Sequence, residues 1–161
     1  MEPKVIKKAA FKIVGYRFEV NLLEIKSEDI VKHAIAKLKE HANQFSNRVG
    51  EHIYLLQIYP MIENFDPMVD RFTSIVGYEV SNAENLPAGT IVHSVPENLY
   101  SFFTHYGLES ELHQSYDYLY GKWMEENGYE SLGYDLERWD ERYKPEDPDN
   151  EIDMYIAIQK Q

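Results

Sequence analysis

Ser81-Asn82-Ala83-Glu84-Asn85-Leu86-Pro87-Ala88-Gly89 is the stretch that decides the fold. It is polar, it closes on a Leu-Pro-Ala-Gly turn, and strand-like runs stand on both sides of it. Backwards from it, Arg71 to Val80 reads as a strand, Met61 to Asp70 as a loop holding Pro67, and His52 to Tyr59 as a strand stopped by Pro60. Ahead of these, Ser27 offers an N-cap, with Glu28 and Asp29 where negative charge suits the helix dipole. Val31, Ile35, Leu38, Ala42 and Phe45 then keep spacings of three and four. The spacing predicts a helix over Ser27 to Phe45, ended by Asn47 and Gly50. Val5 to Lys8 and Phe11 to Val20 read as strands joined at Ala9-Ala10.

Forwards from Gly89 the same order starts again. Thr90 to Val95 and Leu99 to Tyr106 are strands around the turn Pro96-Glu97-Asn98, and Gly107 breaks the second. A helix follows from Leu108 to Asn127, with Leu112, Tyr116, Leu119, Tyr120 and Trp123 on one stripe and Gly128 closing it. Tyr134 to Tyr143 and Ile152 to Ile158 are the last strands. The chain therefore reads β-β-α-β-β twice, over about residues 1–80 and 88–161. The halves share element order and little residue identity. The expectation is a single α+β domain with an antiparallel sheet, two helices on one side, and a ligand cleft between the halves. The same order also allows a plain α+β sandwich without a cleft.

Composition narrows the function. The chain has 161 residues, enough for a core without disulfides or metals. Its 16 Lys plus Arg against 28 Asp plus Glu leave a net charge of −12. That balance disfavours direct nucleic-acid binding, which needs a basic face, and an anionic membrane surface. It suits cationic or neutral partners. Cysteine is absent, which excludes a thiol nucleophile and a thiolate zinc site. No apolar run approaches a membrane span and no signal peptide is visible, so the expected location is the cytoplasm. Thirteen Tyr, 7 Phe and 2 Trp fit either an aromatic-lined cavity or a Tyr-rich core and surface.

Motifs for phosphate, serine-triad or HExxH zinc chemistry are missing. Glu109 and His113 stand four apart on the second helix, a spacing met far more often in surface pairs than in metal sites, so neither metal nor cofactor is expected. Acidic residues crowd Met124 to Asp153, mostly as a solvated face. One of them stands apart. In Tyr134-Asp135-Leu136-Glu137-Arg138-Trp139, alternation places Glu137 and Trp139 on one face. A buried Trp139 would draw Glu137 inward. There, ionised, it can meet a bound cation; with its pKa raised by desolvation, it can act as a general acid or base. The plainer alternative is an edge Trp139 with Glu137 paired to a nearby arginine.

Leu86-Pro87-Ala88-Gly89, followed by Val95-Pro96-Glu97-Asn98-Leu99-Tyr100-Ser101-Phe102-Phe103-Thr104-His105-Tyr106-Gly107, resembles the GyrI-like small-molecule-binding family. This domain is also met as the effector-binding domain of AraC-type and MerR-type regulators. Val76-Gly77-Tyr78-Glu79-Val80, Tyr120-Gly121-Lys122-Trp123-Met124, Asn127-Gly128-Tyr129 and Leu136-Glu137-Arg138-Trp139 extend the resemblance nearly end to end. It implies a two-repeat fold with Glu137 in the cleft, meeting cationic or polar aromatic ligands. It also implies two function classes. Some stand-alone relatives hydrolyse cyclopropane-bearing, DNA-alkylating compounds with the cleft glutamate; others bind and inhibit gyrase. The expectation is a stand-alone protein that binds an aromatic or cationic small molecule. It would either hydrolyse strained electrophiles with Glu137 as the catalytic residue, or, without catalysis, bind and sequester amphipathic cations or act as a gyrase-interacting inhibitor protein. No helix-turn-helix is expected ahead of the first strand. Trp139 stands where the family more often has Tyr. The accompanying candidate ligand contacts are Trp139, Phe103, His105, Trp123 and Tyr155. Phe103 and His105 share a strand face opposite Tyr100 and Phe102. Trp123 lies on an apolar helix stripe that also suits the core. Tyr155 and Met154 cannot both face the cleft.

Overall fold

The computed structural model describes residues 2–161. In chain order the elements are β1 (Lys4–Lys8), β2 (Phe11–Val20), α1 (Leu22–Glu28), α2 (Ile30–Glu40), β3 (Arg48–Ile58) and β4 (Phe72–Val80), then β5 (Ile91–Val95), β6 (Asn98–Tyr106), α3 (Leu112–Tyr118), α4 (Met124–Asn127), β7 (Tyr129–Trp139) and β8 (Glu151–Lys160). A π-helical segment, Leu119–Trp123, joins α3 to α4 in one continuous rod. The strands form one eight-stranded sheet in the order β1-β6-β8-β7-β3-β4-β2-β5. Every pairing is antiparallel. The order has a pseudo-twofold between β3 and β7, because β2, β3 and β4 correspond to β6, β7 and β8. Each half lends its first strand to the other: β1 pairs with β6, and β5 with β2.

The sheet is curled. A flat sheet of eight strands would be about 33 Å wide. Yet Ile13, Tyr54, Leu56, Ile75, Val95, Tyr100, Leu136 and Ala157 form one buried cluster, with Ile6 packed against it. All eight strands contribute, which requires the sheet to wrap around this inner face as a half-barrel. Gly15 and Gly77, directly paired across β2 and β4, allow the close approach. A Cβ on Gly15 would stand 2.0 Å from the Val76 carbonyl oxygen.

The helices cover the outer face. Val31, Ala34, Ile35 and Leu38 of α2 pack on Val14, Tyr16, Ile53, Val76, Tyr78 and Trp139. Leu119, Trp123 and Met124 pack on Met154, Ile156 and Ile158. Among the described residues no helix is long and apolar enough to cross a membrane.

Several boundaries differ from expectation. β3 begins at Arg48, so Gly50 lies inside a strand, and β7 ends at Trp139, four residues short of Tyr143. The first helical stretch begins at Leu22, not Ser27, because Asn21 and Glu24 form a capping box: the Asn21 side chain accepts from the Glu24 backbone N–H at 2.8 Å and Glu24 returns the bond at 3.2 Å. Ser27 lies inside α1. Asp29, at φ 50°, breaks the stretch between α1 and α2, and regular helix ends at Glu40. β7 begins at Tyr129, five residues early. Its register to β8 shifts between Ser131 and Asp135, around Gly133 at φ 97°.

Candidate functional site

β7 supplies the centre of the site. Asp135, Glu137 and Trp139 alternate onto the outer face, under the helices, while Leu136 points to the inner cluster. Glu137 is 3% exposed. The Tyr116 hydroxyl of α3 donates to its Oε2 at 2.6 Å, and the Trp139 indole N–H donates to Oε1 at 2.9 Å. Burial pushes the Glu137 carboxyl up to about 7, against the pull of these two donors, with the Glu109 charge adding to the rise. No ion pair among the described residues includes Glu137. Arg138, the nearest arginine in sequence, pairs instead with Asp140 and Asp153.

Asp135 is a second buried carboxyl on the same face. Its Oδ2 accepts from Tyr120 at 2.6 Å and from Tyr59 at 3.0 Å. Burial pushes it up to about 7 as well; the two hydroxyls oppose the rise and the Glu137 charge supports it. Asp135 is not among the residues expected at the site, although the alternation that joins Glu137 to Trp139 extends two residues back to it. Tyr116 and Tyr120, one helical turn apart, stack at 6.4 Å and roof the two carboxyls.

An open cavity of about 560 Å³ lies alongside. That is within the range of small-molecule sites. Its wall includes Ile35, Arg48, Ile53, Tyr78, Trp139 and Tyr143, but neither Glu137 nor Asp135. Trp139 stands between: its ring lines the cavity and its N–H holds Glu137. Tyr143 stacks on Trp139 with centroids 4.3 Å apart and planes at 20°. The Tyr143 hydroxyl donates to Glu109, which also pairs with Lys32 of α2 at 3.4 Å.

The remaining candidates separate. Phe103 and His105 are on the face of Glu137, two strands away, with Met154 between Phe103 and Glu137 and Ile152 beside His105. The helices cover that same face, so both residues lie under α3. Phe103 meets Tyr118 at 6.1 Å, and both ring nitrogens of His105 are engaged, by Ser115 Oγ at 2.7 Å and the Leu108 carbonyl at 2.9 Å. Trp123 is in the core, stacked on Tyr129 at 5.5 Å. Tyr155 is on the opposite, inner face with Tyr54, Tyr100 and Phe102, because its directly paired partner is Leu136. Met154 is the one of the pair that shares a face with Glu137. Glu109 and His113 do not converge, since His113 bonds the Ser110 carbonyl. Among the described residues no group of three metal-ligating side chains occurs.

Comparison with known proteins agrees with this architecture. The family model described as GyrI-like small molecule binding domain matches residues 1–159. The transcriptional regulator BrlR of Pseudomonas aeruginosa is 33% identical over 90 residues, which are 55% of this chain and 33% of that protein. The match thus spans about a third of the relative's length. The structure of SAV2435 bound to tetraphenylphosphonium is similar with a TM-score of 0.73 at 12% identity, covering 99% of this chain and 94% of that one. A hydrolase encoded by lin2189 from Listeria innocua is similar with a TM-score of 0.53 at 10% identity, covering 98% and 92%. At these identities the two solved structures speak to the fold alone.

Proposed function

The chain belongs to the GyrI-like small-molecule-binding domain family, and from that premise we propose that it binds aromatic cations, with Glu137 as their anionic partner. The observation that carries this reading is a fully buried carboxyl with no cationic side chain beside it. A buried charge is strongly disfavoured without a counter-charge. Glu137 is therefore held near neutrality by burial, and a lipophilic cation would supply what the chain lacks. Trp139 supports the reading as a flat, electron-rich wall between the cavity and the carboxyl. Tyr143, stacked on that wall, occupies the position a planar ligand would take. SAV2435, which shares the fold, is bound to tetraphenylphosphonium.

The test is titration with tetraphenylphosphonium, read by tryptophan fluorescence, on the wild type and Glu137→Gln. We expect a saturable change in the wild type and at least about tenfold weaker binding in the variant, the scale of one lost charge-assisted contact. Equal affinity for both proteins would remove Glu137 from the site.

A second reading, hydrolysis of strained electrophilic aromatics of the cyclopropane-bearing type, is favoured by one observation. A carboxyl pushed up to about 7 and oriented by Tyr116 and Trp139 suits general acid–base work at neutral pH. Here Glu137→Gln should lower turnover by about 10²-fold while changing affinity little. Mass spectrometry of the incubated compounds distinguishes the readings: unaltered compound with Glu137-dependent binding supports the first.

A further inference from the structure

The buried side-chain oxygens without a hydrogen-bond partner among the described residues are Ser74 Oγ, Ser101 Oγ and Asp135 Oδ1. They are not scattered. Asp135 is directly opposite Gln57 on β3, and Gln57 is opposite Ser74 on β4. On its other side Asp135 is opposite Ile156 on β8, which is opposite Ser101 on β6. Directly opposed residues share a face. The three oxygens thus lie in one row across five strands of the outer face, with Asp135 at its centre, and all three residues are 0% exposed. Ser74 and Ser101 stand two strands, roughly 10 Å, to either side of Asp135; an unpartnered buried acceptor is costly, and Asp135 Oδ1, beneath the helices, is the carboxylate oxygen open to a donor.

Glu137 stands two residues along β7 from Asp135, about 7 Å away on the same face. Each carboxyl accepts from one member of the stacked Tyr116–Tyr120 pair, so one roof covers both. No ion pair among the described residues includes Asp135. Tyr120 belongs to the π-helical segment, a winding that concentrates at functional sites. We propose that Asp135 is a second cation subsite, and that the site takes a dication whose two nitrogen centres stand about 7 Å apart, one at each carboxyl. The proposal rests on the reading of Glu137 as a cation partner. Ammonium and amidinium groups fit Asp135 because each carries a positive charge and several N–H donors, one of which can meet the unpartnered Oδ1. On binding, the neutral Asp135 acid gives its proton to solvent and the carboxylate faces the second cationic centre.

The test compares p-xylylenediamine, a ring with an ammonium at each end, with 4-methylbenzylamine, the same ring with one ammonium, by isothermal titration at pH 6. Tetraphenylphosphonium serves as the reference monocation. We expect the diamine to bind at least about tenfold more tightly than the monoamine, the scale of one charge-assisted hydrogen bond. Asp135→Asn should bring the diamine to within about threefold of the monoamine. In the wild type, titration in two buffers of different ionisation enthalpy should show the diamine releasing about one proton more than the monoamine; this readout needs no variant to fold. A diamine no tighter than the monoamine, equal proton release, or a folded Asp135→Asn that keeps the preference overturns the second subsite. If tetraphenylphosphonium still binds through Glu137 in that case, the earlier reading stands; if none of the three ligands binds, both fall.

Discussion

Replacing Glu137 by Gln should reverse the order of stability between variant and wild type as pH rises. In the unfolded chain the carboxyl ionises near its ordinary 4.5, and in the folded chain near 7. Between these values the unfolded state has released a proton that the folded state keeps, so rising pH favours unfolding. The stability tied to this group is whole below pH 4.5 and lost by about pH 7. At roughly 1.4 kcal/mol per pH unit, the interval corresponds to about 3 kcal/mol. Gln keeps the shape and cannot ionise, but it leaves one of the two donors, Tyr116 or Trp139, less well matched, at about 1 kcal/mol. The variant should therefore be about 1 kcal/mol less stable near pH 4.5 and about 2 kcal/mol more stable at pH 8. Asp135 adds a slope of the same sign, present in both proteins, which largely cancels in the difference. Urea unfolding followed by circular dichroism from pH 4.5 to 8 measures both curves. Parallel curves would mean that Glu137 ionises alike in folded and unfolded chains, and the burial argument would be refuted.

Asn21→Ala removes the capping box and should lower stability by about 1 kcal/mol, or a midpoint by about 2–4 °C; an unchanged midpoint contradicts the cap. Gly15→Ala sets a methyl against the Val76 carbonyl and should destabilise by about 3 kcal/mol, with neutral behaviour in urea unfolding counting against the close approach of β2 and β4. Tyr143→Ala frees the face of Trp139 from a stack of about 0.5–1.5 kcal/mol, so affinity for a planar cation such as ethidium should rise by about threefold in a fluorescence titration. Weaker binding would make Tyr143 part of the ligand's wall instead. A net charge of −12 predicts no retention on duplex DNA at physiological salt, and a salt-sensitive shift in filter binding contradicts it.

Sequence by itself determined the element order, because period-2 and period-3.6 patterns are local and the polar Ser81–Gly89 connection divides them. It also determined that Glu137 and Trp139 share a face, since alternation along a strand follows from backbone geometry. The same geometry set Met154 against Tyr155 without saying which faced Glu137. That choice rests on the pairing of β7 with β8, where Glu137 meets Met154 and Leu136 meets Tyr155, a contact between distant segments. Tyr116 and Tyr120 were legible as a helix stripe, but a stripe does not say where its hydroxyls end. Only the docking of that helix onto β7 turns them to Glu137 and Asp135, and only the loop after β3 brings Tyr59 to the same carboxyl. The curl of the sheet decided the rest. It gathers the inner apolar face into one core and leaves the outer face to the helices, so the carboxyls lie beneath a helix and behind Trp139, beside the open cavity and outside its wall.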